Sequence, residues 1–213
     1  MDTIIKDMNP VLQMLIVMTV FSLLPLVFCC MTSFLRFVIV FSMLKTAMGT
    51  QQVPPSVVIV GLAMILTFYT MGGVFEQMYQ RGSIPYQKNG NLIVAIDEGS
   101  KPLKEFMMKQ TRESDLAFFV ELKRKTPPKS PEELTIWEVA PAYILSELKT
   151  AFEIGFVVFV PFIVLDLVVA NILLALGMFM LSPTIISLPF KLLIFIAVDG
   201  WALIVQGLVQ SYN

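Results

Sequence analysis

Five ionisable residues stand where the sequence can use them for more than solubility. Arg36 lies between Thr32-Ser-Phe-Leu35 and Phe37-Val-Ile-Val-Phe41. Glu147 sits in the polar helical stretch from Pro141 to Phe152. Asp166 is the lone acid between Ile154 and Leu181, and Lys191 and Asp199 interrupt the apolar run from Ile185 to Leu208. An ionisable group in apolar surroundings is costly, so each should face a partner or a water-filled path. One use is an ion pair that fixes neighbouring elements. Glu147 with Lys191 of a neighbouring copy or an adjacent hairpin is the expected pair, and Arg36, Asp166 and Asp199 are further candidates. A second use is acid–base work by two carboxylates sharing a proton. Asp166 and Asp199 would be the acids of an intramembrane aspartyl protease, but Asp199 is followed rather than preceded by its glycine. That context speaks against an enzyme. A third use is in a transporter or channel, where broken helices and buried charges occur together. The sequence shows no internal repeat, and four short segments leave one chain little room for alternating access. A ring of copies removes that difficulty, because each subunit contributes one sector of a pore.

Composition narrows the classes further. The chain of 213 residues is 56% hydrophobic and only 15% charged, against about 25% charged in soluble domains, which selects a membrane protein. Histidine is absent, which removes Ser-His-Asp and Cys-His nucleophiles and every His-ligated metal site. Cys29 and Cys30 are neighbours in an apolar run and read as small buried residues. The polar middle holds no nucleotide loop, metal-ligand cluster or catalytic dyad, so no cofactor is expected. A net charge of -1 and no basic cluster beyond Lys123-Arg-Lys125 argue against nucleic acid as a partner.

The elements that must carry these residues are helices. We expect an all-α membrane protein with about four long apolar segments, bent or broken into hairpins, and a small, mostly helical polar subdomain between the second and third. Residues 1–75 form an N-terminal hydrophobic hairpin, 76–139 the polar subdomain, and 140–213 a C-terminal hydrophobic hairpin. Residues 1–9 carry Asp2 and Asp7 against Lys6, which does not fit the positive start of a secretory signal, so the N-terminus reads as retained. Pro25 and Pro161 should kink or break their helices, and Pro183 should mark another break. Gly49 reads as a helix C-cap before Pro54-Pro55. Gly82, Pro85, Asn89 and Gly90 read as turns, Lys101 to Leu122 as one exposed helix, and Ser130-Pro-Glu-Glu133 as a helix start. Gly177-Met-Phe-Met180 joins the last two segments. Methionine and phenylalanine there can fill a hole adaptively, as a hydrophobic gate does.

Longer motifs carry a resemblance. Met31-Thr-Ser-Phe-x-Arg-x-Val-Ile-Val40, Ala47-Met-Gly-Thr50, Val53-Pro-Pro55, Phe106-Met-x-x-Gln-Thr-Arg-Glu-x-Asp-Leu116, Ser146-Glu-Leu-Lys-Thr-Ala-Phe152, Asp166-Leu-Val-Val169, Ile186-Ser-Leu-Pro-Phe-Lys-Leu192 and Asp199-Gly-Trp201 resemble the FliP/SctR proteins of bacterial type III export gates. The resemblance covers nearly the whole chain and looks more flagellar than injectisome-like. It implies a ring of five copies joined by FliQ and FliR, or their injectisome counterparts, alongside FlhB-type and FlhA-type export proteins. It implies passage of unfolded secreted proteins through a central conduit. It further implies a place in the bacterial inner membrane, within the flagellar basal body or injectisome base, largely at the periplasmic side once assembled. The Met-rich loop is implied to be the gasket of the closed conduit, falling here on Met178, Phe179 and Met180. Phe179 departs from the consecutive methionines frequent in the family.

Overall fold

The computed structural model describes residues 10–50, 53–90, 92–123 and 133–212. Among them every regular element is an α-helix. In chain order these are α1 (Pro10–Met31), α2 (Phe34–Ala47), α3 (Ser56–Asn89), α4 (Leu92–Gln110), α5 (Glu113–Lys123), α6 (Ile136–Ala175), α7 (Pro183–Ala197) and α8 (Gly200–Gln210). Two of them, α3 and α6, are long and apolar enough to cross a membrane. Two bent pairs, Phe21–Met31 with Phe34–Ala47 and Pro183–Ala197 with Gly200–Gln210, reach that standard when each is taken together, which raises the number to as many as four. With 40 residues, α6 is about 60 Å long at 1.5 Å per residue, roughly twice the 30 Å of a hydrocarbon core.

Several boundaries differ from the sequence expectation. Helical structure continues through Pro25 in α1, and α6 runs unbroken through Pro161. A proline removes one N–H and leaves one carbonyl without its donor, and in apolar helices this is tolerated where neighbouring groups re-satisfy it. The interruption in the first apolar run falls at Thr32-Ser33, between α1 and α2. Gly82 and Pro85 lie inside α3, which continues to Asn89 before Gly90 turns the chain with φ +61°. The stretch from Lys101 to Leu122 is two helices parted at Thr111-Arg112. Ser130–Glu132 lie outside the described residues, and α6 begins at Ile136. At its start Glu138 reaches back one turn: the Thr135 N–H donates to Glu138 Oε2 at 2.7 Å and the Thr135 hydroxyl donates to the same oxygen at 2.8 Å, one half of a capping box.

The chain gathers into two compact units that interleave in sequence. The first takes residues up to Leu35 and Thr67–Glu147. Its core joins Met71 of α3, Leu103 and Met107 of α4, Val120 of α5 and Val139, Ala140 and Tyr143 of α6. Here α3 and α4 approach backbone to backbone. A Cβ on Gly99 would stand 3.3 Å from Gly82 Cα and 3.3 Å from the Met78 carbonyl oxygen. A side chain at either glycine would press on the facing backbone, so glycine suits that approach. An ion pair between Arg81 and Glu105, 3.1 Å apart, bridges the same two helices at the surface.

The second unit takes Arg36–Leu66 and Leu148–Asn213. Leu44, Ala47 and Met48 from the end of α2 pack with Phe162 of α6 and Phe195 of α7. The α7–α8 break bends the chain by 63°. It is built on Asp199, which holds a left-handed φ of 52°, and on Gly200. A Cβ on Gly200 would fall 2.2 Å from the Phe195 ring, so the ring occupies the space that any other residue would need.

Candidate functional site

The second unit holds a buried polar cluster. Ser187 and Lys191 are one helical turn apart on α7, so both face the same neighbour. That neighbour is Asp166 on α6. Lys191 Nζ donates to Asp166 Oδ2 at 2.7 Å, and the Ser187 hydroxyl donates to Asp166 Oδ1. The ammonium also donates to the Ala47 carbonyl at 3.3 Å, at the end of α2. A cation there complements both the unpaired carbonyls and the dipole of the helix C-terminus. The lysine side chain is 4% exposed and the aspartate 28%. Three helices therefore converge on one lysine, and both carboxylate oxygens are taken. Asp166 engages Ser187 with one carboxylate oxygen and Lys191 with the other, and the Asp199 carboxylate is not among these partners.

The pairing expected between copies meets two groups already inside a single copy. Glu147 is fully buried and belongs to the first unit, whereas Lys191 is buried in the second. Within one copy Lys191 pairs with Asp166. The sequence offers no way to see that two residues 25 positions apart on different helices share a level. Among the described residues no group of three or more His, Cys, Asp or Glu side chains could hold a metal ion.

Arg36 is buried at the start of α2. Its Nη1 donates to the Ser211 hydroxyl at 2.8 Å and the Ser211 carbonyl at 3.3 Å. The guanidinium carbon lies 3.9 Å from the centre of the Tyr212 ring. Arg36 thus closes the C-terminal end of α8 with both hydrogen bonds and a cation–π contact. Asp199 lies at the α7–α8 break, on the exposed surface, and makes no side-chain cap to α8.

Gly177 ends α6 in a Schellman motif. The Met178 N–H donates to the Leu173 carbonyl at 2.9 Å and the Gly177 N–H to the Leu174 carbonyl at 3.0 Å, with Gly177 at φ +74°. Pro183 is the first residue of α7, where its missing N–H has no helical partner to lose. Between these two stops the loop projects its side chains outward. Met178 is partly covered, Phe179 is largely open, and Met180 is 100% exposed. Between them, α6 and α7 form an apolar groove of about 330 Å³ lined by Val168, Ile172, Ile186 and Phe190 among others.

Sequence reasoning singled out the embedded charges and the loop. It missed Ser187 as a ligand of Asp166, although the Ser187–Lys191 spacing of four was a usable signal. It also missed Tyr212, the lid over Arg36, because nothing in a terminal Ser-Tyr pair points to a partner 175 residues earlier.

Known proteins align with almost all of these residues. A model described as "FliP family" matches residues 17–208. The flagellar biosynthetic protein FliP of Pectobacterium carotovorum subsp. carotovorum is 46% identical over 201 residues, covering 94% of this chain and 78% of that protein. The protein of the same name from Bacillus subtilis (strain 168) is 43% identical over 208 residues, covering 97% of this chain and 94% of that protein. The Yop proteins translocation protein R of Yersinia pestis is 41% identical over 209 residues, covering 95% and 96%. The matched span takes in Arg36, the Asp166–Ser187–Lys191 cluster and the Gly177–Pro183 loop, and on its extent the chain belongs to the FliP family.

Proposed function

We propose that this chain is a core subunit of a flagellar type III protein export gate. In this reading it has no catalytic role. With copies of itself, in a ring of five, and with FliQ and FliR it forms the conduit through which unfolded secreted proteins cross the bacterial inner membrane. FlhB-type and FlhA-type proteins act beside it, and much of the assembly lies toward the periplasmic side of the basal body. The observation that carries the reading is the alignment with a flagellar biosynthetic protein along 97% of the chain. The exposed apolar loop at Met178–Met180 supports it, because an isolated membrane anchor has no use for such a loop. In a ring the loops of successive copies would meet around the axis and narrow it, as hydrophobic constrictions do.

The test is complementation. The gene is placed in a flagellated bacterium lacking its own copy, and secretion of hook and filament proteins is measured. Restored secretion supports the reading, and a stably inserted protein that restores none overturns it. The second reading is the equivalent subunit of an injectisome, favoured by the 41% identity to the Yersinia pestis translocation protein. Restored secretion in an injectisome deletion strain, without rescue of the flagellar one, would select it.

A further inference from the structure

Backbone hydrogen bonds from Gly177 and Met178 tie the Gly177–Met180 loop to the end of α6, but little of its apolar surface is covered. Phe179 and Met180 are largely or fully exposed, and α6 and α7 leave an apolar groove between them. Apolar contacts are non-directional, and packed helices can exchange one register for another by a full turn, about 5.4 Å. Something directional must therefore fix how far α7 stands along α6. Asp166 lies 11 residues before Gly177, about 16 Å along the helix at 1.5 Å per residue. Its two oxygens bind two residues of α7 spaced by one turn, Ser187 and Lys191. Two contacts from one carboxylate to one helix fix both its translation and its rotation. A slip of a whole turn would leave a buried ammonium or a carboxylate without its partner, which an apolar surrounding penalises heavily. Lys191 also reaches the Ala47 carbonyl, so the same pin refers the hairpin to α2.

We infer that Asp166, Ser187 and Lys191 form a register pin that positions the Gly177–Met180 loop. Lys191 and Asp166 are positioning residues for the constriction, acting through the hairpin and touching no substrate. The inference rests on the reading of this loop as part of a conduit, but its geometric content is independent of export.

The experiment measures that geometry directly. Nitroxide labels are placed at Thr46→Cys and Met180→Cys in a Cys29→Ser/Cys30→Ser background. The protein is purified with its complex, and labelled copies are kept sparse. Pulsed electron resonance then reads the distance from the end of α2 to the loop. The parent should give one narrow distribution. Lys191→Met and Asp166→Ala should broaden it or add a population displaced by about 5 Å, one helical turn. Lys191→Arg should keep it narrow. Ser187→Ala removes one contact with little change in volume, and should broaden it even where the harsher variants fail to fold. An unchanged distribution in Ser187→Ala, and in whichever of the other two variants folds, overturns the pin. Export is scored in parallel. A displaced loop with normal export would keep the pin and count against the conduit reading. Lost export with an unmoved loop would do the reverse.

Discussion

Lys191 and Asp166 stand 2.7 Å apart on α7 and α6, the ammonium almost wholly enclosed and the carboxylate open on one side. The two halves of this pair are consequently unequal. Removing Asp166 strands a buried cation, whereas removing Lys191 leaves a carboxylate that still has Ser187 and some access to water. Truncating one partner of a buried pair costs about 3–5 kcal/mol, and partial exposure lowers that figure. We expect Asp166→Ala to lose more thermal stability in detergent than Lys191→Met. Equal losses, or the opposite order, would refute the asymmetry.

The identity of the partner gives a second prediction. Exchanging the charges as Asp166→Lys with Lys191→Asp should recover some of the folded protein lost in either single reversal. Combining Glu147→Lys with Lys191→Glu should recover none, since Lys191 already has Asp166 as its partner. Yield of protease-resistant protein reads both. Rescue by the Glu147 combination alone would restore the pairing between copies.

Glycines at close approaches should behave unlike glycines in open space. Gly99→Ala sets a methyl 3.3 Å from backbone atoms of α3, and backbone cannot swing aside. Overpacking of this kind costs about 1–3 kcal/mol. Gly73→Ala, with nothing within 4 Å of its Cβ position, should instead be neutral or stabilise by up to about 1 kcal/mol through helix propensity. Unfolding in a denaturing detergent series separates them, and equal midpoints would mean that α3 and α4 are not so close.

Gly200→Ala should be harsher. Its methyl would overlap the Phe195 ring at 2.2 Å, in a turn that must also hold Asp199 at positive φ. Phe195→Leu frees the space at the cost of a smaller core side chain, so Gly200→Ala with Phe195→Leu should be more stable than Gly200→Ala alone. Melting temperatures of the three variants check this, and strictly additive losses would exclude the clash.

Arg36 offers a test of shape against charge. Lysine keeps the charge but loses the planar fork and the stacked face. Arg36→Lys should therefore destabilise, and Tyr212→Phe, which keeps the ring, should cost much less than Tyr212→Ala. The cation–π share is about 0.5–2 kcal/mol. Similar losses for Tyr212→Phe and Tyr212→Ala would show that the ring face is not what holds the guanidinium.

Much of the helical plan was legible. Apolar length announced α3 and α6, and Gly49 and Gly177 both stop their helices at positive φ as a C-terminal glycine should. The errors came from residues with two physical uses. Glycine permits a turn and also permits close helix crossing, and Gly82 does the second. Proline breaks helices in water, yet Pro25 and Pro161 lie within continuous ones. The Thr135-Ile-Trp-Glu138 start of α6 went unread, and the hydrogen bond that marks it is visible only in three dimensions. The polar cluster was half legible. The sequence shows that Lys191 must have a partner, but the partner depends on how α6 and α7 lie together, which one chain's residue spacing does not encode.

The interleaving of the two units has a consequence for synthesis. Arg36 emerges from the ribosome long before Ser211, its partner 175 positions later. At 5–20 residues per second that gap lasts roughly 10–35 s. Until Leu148 is made, the segment Arg36–Leu66 has none of the later residues with which it forms a unit. A newborn chain of this kind needs a holder, in the insertion machinery or the bilayer itself, until its last helix arrives. A stalled or truncated product would carry an uncovered arginine among apolar residues, a ready mark for quality control.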